Sequence, residues 1–240
     1  TVNLTVNNPT GFPNNLTLER YTPLATKINN SSFTFYNLEP ITIQPSAGVY
    51  RFPNVILKEG VLAEYSFGVV APGPDEKYII QSTNIDITSM LVTVQVSATD
   101  ASITTYTLST DISGLTDAST NYFIEENTQG LYQIFFGDGV LGKKLDNGQK
   151  IEISYLITNG PETNGAKDFT FSGIVKDTSG NTNYPFTTSI TSTVAANGGN
   201  DIENINSIKY NAPKYFGTQD RAVTAGDYAS IVRNIYPAIS

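Results

Sequence analysis

The 240-residue chain has no cysteine, no histidine and no tryptophan, and a single methionine. Without cysteine there are no disulfides, no thiolate metal ligands and no cysteine nucleophile. Without histidine the commonest general base is missing, and with it the Ser-His-Asp triad and imidazole ligation of metals. Charge is also scarce. Asp, Glu, Lys and Arg make up 15% of residues, against roughly 25% in an ordinary globular protein. Ser, Thr and Asn take their place. Such a surface suits broad contact with other proteins, because burying a hydroxyl or an amide costs less than burying a charge.

The charges that remain are unbalanced. Fourteen Lys and Arg against 22 Asp and Glu leave a net charge of −8. With no basic patch to neutralise phosphates, nucleic acid is not an expected partner. Apolar runs are short and interrupted, as in Val92-Thr93-Val94-Gln95-Val96, far from the roughly 20 residues of a membrane-spanning helix. A membrane is therefore not an expected partner either. The first residues, Thr1 to Val6, alternate like a strand and lack the basic start of a secretory signal. The chain does not begin with Met and stops at Ser240, just after a helical pattern. We therefore expect a piece of a longer polypeptide.

What is present is β patterning. Period-2 alternation of aromatic and β-branched residues, bounded by Gly, Pro and Asn, marks half-buried strands. It is seen at Val2–Val6, Ser32–Tyr36, Ile41–Ile43 and Ala63–Val69, with a short apolar run at Val55–Leu57. The segment Val70 to Asp75 carries two prolines and is expected to be a connection. Further strands are expected at Tyr78–Ile80, Leu91–Val96, Ile103–Leu108, Asn121–Ile124, Leu131–Phe136 and Lys150–Ile157. Two more are expected within Asp168–Val175 and Pro185–Val194, around the loop 178–183.

The pattern changes after Asn197-Gly198-Gly199-Asn200. Ile202, Ile205 and Ile208 recur at helical spacing, with Asp201 as the expected N-cap and Pro213 as the latest end of that helix. A second helix is expected from Thr224, where Thr224 and Asp227 have the spacing of a capping box. Its apolar stripe is Tyr228, Ile231, Val232 and Ile235, and Pro237 ends it. The expected fold is mainly β, α+β overall, with several small antiparallel sheets or sandwiches in series and a short helical C-terminal part. The expected domains are an N-terminal β domain over 1–74, a central β domain over 75–196 and a helical segment over 197–240.

Three patterns suggest chemistry. Gly137-Asp138-Gly139-Val140-Leu141-Gly142 contains a literal GxGxxG after a strand pattern. A dinucleotide fingerprint needs a helix next, because the pyrophosphate sits on a helix N-terminus. Lys143 to Lys150 is instead polar and turn-rich, and Ile151–Tyr155 reads as another strand. The glycines, with Gly148, are better explained by positive φ and a tight connection between strands. Asp138, Asp146 and Asn147 offer oxygens near glycines but lack the spacing of a calcium loop. Glu125-Glu126 and Asp75-Glu76 are adjacent carboxylates, and neighbours on one strand point to opposite faces. Neighbours therefore do not flank a sugar as a glycosidase pair does, and nothing selects one pair among distant carboxylates. No catalytic residue, metal site or cofactor is expected. The Asn-x-Ser/Thr matches at Asn3, Asn15 and Asn30 carry no weight in so Asn- and Thr-rich a chain.

Two segments together resemble a known family. The first runs Tyr132-Gln133-Ile134-Phe135-Phe136-Gly137-Asp138-Gly139-Val140-Leu141-Gly142, continues through Asn147-Gly148-Gln149-Lys150-Ile151-Glu152-Ile153-Ser154-Tyr155 and ends loosely at Thr158–Gly165. The second joins Ala212-Pro213-Lys214-Tyr215-Phe216 to Arg221-Ala222-Val223-Thr224-Ala225-Gly226-Asp227-Tyr228. They resemble the FGDG and AP-x-x-F…RAVT-x-x-DY stretches of baseplate-J-like proteins, specifically the wedge proteins of T-even-type contractile phages. The resemblance covers about residues 121–237. Leu145 stands where a Pro is common and Leu156 where an Arg is common. The resemblance implies a non-enzymatic structural subunit of a contractile phage tail baseplate, in the virion and assembled in the host bacterial cytoplasm. Its implied partners are itself, as dimer units within a ring, and other wedge subunits. The stripe at the end of the chain makes Ile231 and Ile235 the candidate interface residues. The alternatives are a tail adhesin that recognises a bacterial surface glycan, which would show an aromatic-lined groove, and a tail-associated glycosidase, which would need a carboxylate pair across a cleft.

Overall fold

Alternation becomes burial from the first strand of the computed structural model, which describes residues 1–7, 13–73, 76–182, 186–201, 203–219 and 221–235, with side chains as far as 232. In β1 (Val2–Asn7) the side chains of Val2, Leu4 and Val6 are buried and those between them are half-buried. The chain continues through β2 (Leu16–Leu18), β3 (Pro23–Ile28), β4 (Ser31–Asn37), β5 (Ile41–Ile43), β6 (Val49–Val55) and β7 (Leu57–Glu59). Two tight hairpins set register here. Asn29 and Asn30 both take positive φ between the paired ends Ile28 and Ser31, the backbone that a two-residue hairpin loop requires. Ala47 and Gly48 do the same between Ser46 and Val49.

The middle of the chain forms a compact unit of its own, Gly60–Thr158. Its strands are β8 (Val61–Gly68), β9 (Tyr78–Ile79), β10 (Ile85–Gln95), β11 (Ile103–Leu108), β12 (Asn121–Glu126), β13 (Tyr132–Phe136) and β14 (Lys150–Ile157). They make one sheet in the order β8-β14-β10-β11-β12-β13-β9. The edge strands approach each other, since the rings of Phe67 on β8 and Tyr78 on β9 lie 5.3 Å apart. The sheet therefore nearly closes around a core that includes Val92, Val94, Tyr106, Ile134, Ile151 and Ile153. One pair, β11 with β12, is parallel. A parallel neighbour needs a long crossover, and residues 109–120 supply it.

After β14 the chain returns to the first unit, Thr1–Glu59 together with Asn159–Ser240. A single 3-10 turn, Gly160–Thr163, precedes β15 (Phe169–Phe171), β16 (Val175–Lys176) and β17 (Thr187–Ser192). Each return strand completes one small antiparallel sheet begun on the outward leg. β15 pairs with β3, β16 with β2 and β17 with β1. Their shared core holds Leu4, Leu16, Leu18, Leu24, Tyr50 and Phe52. Truncating a buried aromatic such as Phe52 to Ala should cost about 3–5 kcal/mol. Two helices end the chain, α1 (Ile205–Thr218) and α2 (Ala225–Ile235).

The fold is mainly β, with several small antiparallel sheets and a helical C-terminal part, as expected. Its grouping differs from a serial division at 74 and 196. The pairing of β15 to β17 with the first three strands makes the N-terminal unit discontinuous, and the central unit runs from 60 to 158. Local composition has no access to such long-range pairing. The helix boundaries also differ. Asn204, not Asp201, caps α1, its side chain accepting from the N–H groups of Asn206 at 2.8 Å and Ser207 at 3.2 Å. Pro213 lies inside α1 rather than beyond it. Several sequence expectations concern residues outside the described ones: the turn cluster at 8–12, the end of the connection at 74–75, Ile202, the strand start at Pro185, and Tyr236 with Pro237.

Candidate functional site

The glycine motif follows β13, whose last residue, Phe136, is buried in the sheet core. The loop closes on itself. Asp138 Oδ1 accepts from the backbone N–H groups of Val140 and Leu141, both at 2.8 Å. These two bonds hold the Asp138 carboxyl below the usual aspartate range. Gly139 N–H donates to the Gly142 carbonyl at 3.0 Å. Gly142 N–H donates to Thr116 O at 3.0 Å and Lys143 N–H to Ser119 O at 2.8 Å, which docks the loop on the crossover between β11 and β12. Every backbone donor from Gly139 to Lys143 is thus spent inside the protein. A phosphate-cradling loop needs those donors pointing outward.

The glycines serve different ends. Gly139 and Gly142 have φ near +92°, open to glycine without strain. Gly137 is required for room, because a Cβ there would lie 2.1 Å from the Gly142 carbonyl carbon. Gly148 has φ +87° and donates to Val69 O at 2.9 Å, while Asn147 Oδ1 accepts from Ala71 N–H at 3.0 Å. The loop connects two strands of one sheet. It leads from β13 to β14, which are not paired, and its turns fasten the crossover on one side and residues 69–71 on the other. The tip leaves Val140 71% and Leu141 42% exposed.

The second motif shapes the junction of the two helices. Gln219, in the left-handed conformation, ends α1. Arg221 N–H donates to Thr218 O at 2.9 Å, and the Arg221 side chain is exposed. Thr224 and Asp227 form the expected reciprocal cap of α2. Asp227 Oδ2 accepts from Thr224 N–H at 2.7 Å, and Thr224 Oγ1 accepts from Asp227 N–H at 3.2 Å. The Thr224 N–H, followed by its hydroxyl, draws the Asp227 pKa below the usual value. Tyr228 is 59% exposed and its N–H reaches Thr224 O at 3.1 Å. Ile231 is half-buried, Val232 is 40% exposed, and the side chain of Ile235 lies outside the described residues. Helix α1 also exposes Ile205, Ile208, Tyr210 and Phe216, and the junction exposes Val223.

Of the carboxylates singled out for hydrolysis, Glu125 has its charge already engaged. Glu125 is bound by Lys77 and by the Gln133 amide. The Lys77 hydrogen bond, then that of Gln133, lowers its pKa, whereas a general acid needs a raised one. Asp75 lies outside the described residues. Among the described residues no three acidic side chains gather as a metal-binding group.

Pairings far apart in sequence were beyond sequence reasoning. Asn159 holds Glu59 through two hydrogen bonds. Asn164 clasps Gly199, donating from Nδ2 to its carbonyl at 2.8 Å and accepting its N–H at 3.0 Å. The end of the first motif therefore anchors the linker that leads to α1. The only sequence signal for either was an Asn-Gly dipeptide, which reads as an ordinary turn.

No protein-family profile matches the chain. Among curated proteins it is similar to "Baseplate wedge protein gp6" of Enterobacteria phage T4, with 28% identity over 136 residues. The match takes in 50% of this chain and 21% of that protein, so the chain spans about a fifth of the relative's length. This likeness relates the chain to a phage baseplate protein.

Proposed function

We propose that the chain is a non-enzymatic structural subunit of a contractile phage tail baseplate, of the baseplate-J-like wedge kind. The observation that carries this reading is the 28% identity to a baseplate wedge protein over half of the chain. The glycine loop is compatible with it, since its backbone donors from Gly139 to Lys143 are bonded within the protein. In this reading the subunit resides in the virion, is assembled in the host cytoplasm, and contacts both other copies of itself in a ring and other wedge subunits. The exposed apolar side chains of the helices and their junction, with Phe216 at 83% and Val223 at 80%, are the contact surface. Single apolar side chains on a surface are ordinary, but this many along two short helices and their junction suit an interaction site.

Immuno-electron microscopy with an antibody against the chain tests the location. Labelling at the baseplate end of purified tails is expected, and labelling elsewhere overturns the reading. Sedimentation tests the contact. Ile231→Asp with Ile235→Asp, and separately Tyr228→Asp with Val232→Asp, should weaken association in the intact protein. Unchanged association in both pairs removes α2 from the interface. Specific binding on a glycan array without subunit association would favour an adhesin instead.

A further inference from the structure

The chain contains four Asn-Gly dipeptides, at Asn147, Asn159, Asn164 and Asn197. Each is chemically capable of losing its side-chain amide. The backbone nitrogen of the following glycine attacks the Asn Cγ, ammonia leaves, and a five-membered succinimide forms. Water then opens the ring at either carbonyl, giving aspartate or isoaspartate. Reaction requires a free attacking nitrogen and a side chain able to swing into an attacking position, within about 3–3.5 Å of it.

The folded chain withholds at least one of these conditions from three sites. At Asn147, Oδ1 is held by Ala71 N–H at 3.0 Å and Gly148 N–H is committed to Val69 O at 2.9 Å. At Asn164, the amide is held at both ends by Gly199, and Gly165 N–H is committed to Ala196 O at 2.7 Å. At Asn159, Nδ2 donates to Glu59 Oε1 at 2.6 Å while its own N–H donates to Oε2, fixing the side chain. All four side chains are exposed, and what sets Asn197 apart is its weak restraint. Its side chain makes one long bond, from Nδ2 to Ala195 O at 3.2 Å. Among the described residues Gly198 N–H has no acceptor.

We propose that Asn197 is a self-modification site, the position at which the folded chain converts asparagine to aspartate and isoaspartate, with water as the co-reactant. The product lies in the linker before α1, two residues from Gly199 and its clasp with Asn164. Isoaspartate adds a methylene to the backbone there, and either product adds a negative charge. Conversion at Asn197 therefore loosens the anchor of the helical segment.

The test is peptide mapping of the folded chain aged in mildly alkaline buffer, by a separation that resolves Asn, Asp and isoAsp forms. The same measurement follows on the chain unfolded in urea. Asn197 should convert on the order of tenfold faster than the other three in the folded chain, a difference of about 1.4 kcal/mol in barrier. In urea the four should converge, because each is followed by glycine. Glu59→Ala should then raise the rate at Asn159 in the folded chain, provided circular dichroism shows the β structure intact. Equal rates in the folded chain, a faster site among the other three, or the same ranking in urea would each overturn the proposal.

Discussion

Asn159 grips Glu59 with both of its donors. Its backbone N–H lies 3.1 Å from Oε2 and its Nδ2 lies 2.6 Å from Oε1, across 100 residues of chain. Glu59 is the last residue of the outward leg and Asn159 the first of the return leg. The pair closes the first unit at the point where the chain leaves it and comes back. Hydrogen bonds to a charged acceptor are the stronger kind, so Asn159→Ala should cost about 1–2 kcal/mol in urea unfolding. Glu59→Gln sets a donor NH2 against one of the two Asn159 donors and should cost at least as much. A double-mutant cycle should show coupling between the two positions, and strictly additive effects would mean the pair contributes nothing.

Gly137 is the most sterically demanding residue of the glycine loop. An added Cβ meets the carbonyl carbon, carbonyl oxygen and Cα of Gly142 at 2.1 to 2.5 Å. These are backbone atoms and cannot rotate away. Gly137→Ala should therefore unfold or severely destabilise the 60–158 unit, by about 3 kcal/mol or more. Gly217, near the end of α1, has nothing within 4 Å of the same added atom. Gly217→Ala should be neutral or stabilising by up to about 1 kcal/mol. Comparable thermal shifts for the two variants would contradict this account of the motif.

Much of the fold was legible because burial follows side-chain periodicity. β5, β11 and β14 have the bounds that the sequence pattern gave, and β4 and β13 differ by no more than a residue at either end. The failures have physical causes. The first half of β10 breaks alternation at a register shift between Asp86 and Leu91. Ser89 fills it, donating to Asp86 O at 2.6 Å and accepting Leu156 N–H at 2.9 Å. A buried serine within a strand looks like a turn residue in sequence. The apolar run Val55–Leu57 looked continuous, but the chain breaks pairing at Ile56, which is 71% exposed. At the candidate site the Thr224–Asp227 cap was readable because its partners are three residues apart. The docking of Gly142 on Thr116 was not, because a whole hairpin intervenes.

Asp138 gives the loop a pH dependence. Its folded-state pKa is lowered by the N–H groups of Leu141 and Val140. A lowered carboxylate contributes stability above its unfolded value, and that contribution fades as pH falls through the folded value. The amides of Val140 and Leu141 should therefore lose hydrogen-exchange protection in acid, below the ordinary aspartate value of 3.8. Asp138→Asn should remove this dependence at those two amides while leaving the Thr224–Asp227 cap unaffected. Protection that stays constant into strong acid would show that the carboxylate charge is not what holds the loop.

Tyr78 should govern part of the alkaline limit. Burial, followed by the nearby Glu76 carboxylate, pushes its pKa up to about 12 from 10.0. The unfolded chain releases this proton first, so stability falls as pH rises from 10.0 towards 12. Among the described residues the hydroxyl has no hydrogen-bond partner. Tyr78→Phe should then raise stability at neutral pH by about 1 kcal/mol, since it deletes a buried unpaired polar group. It should also make unfolding less steep above pH 10. Ultraviolet titration of wild type and variant, with urea unfolding across the same range, checks both; a destabilised variant would mean the hydroxyl is bonded after all.

Pro213 carries the last prediction. It sits inside α1 with no N–H to donate to the Lys209 carbonyl, and a proline in a helix interior costs about 3 kcal/mol relative to alanine. Its side chain is exposed, so no packing contact offsets that cost. Pro213→Ala should raise helical content by circular dichroism and slow amide exchange within α1. Global unfolding of the β units should stay unchanged, because the helix packs no fully buried apolar side chain. If exchange in α1 quickens instead, the proline's ring must be bracing the helix. If the helix is strengthened and subunit association is lost, the deviation that Pro213 imposes belongs to the contact surface.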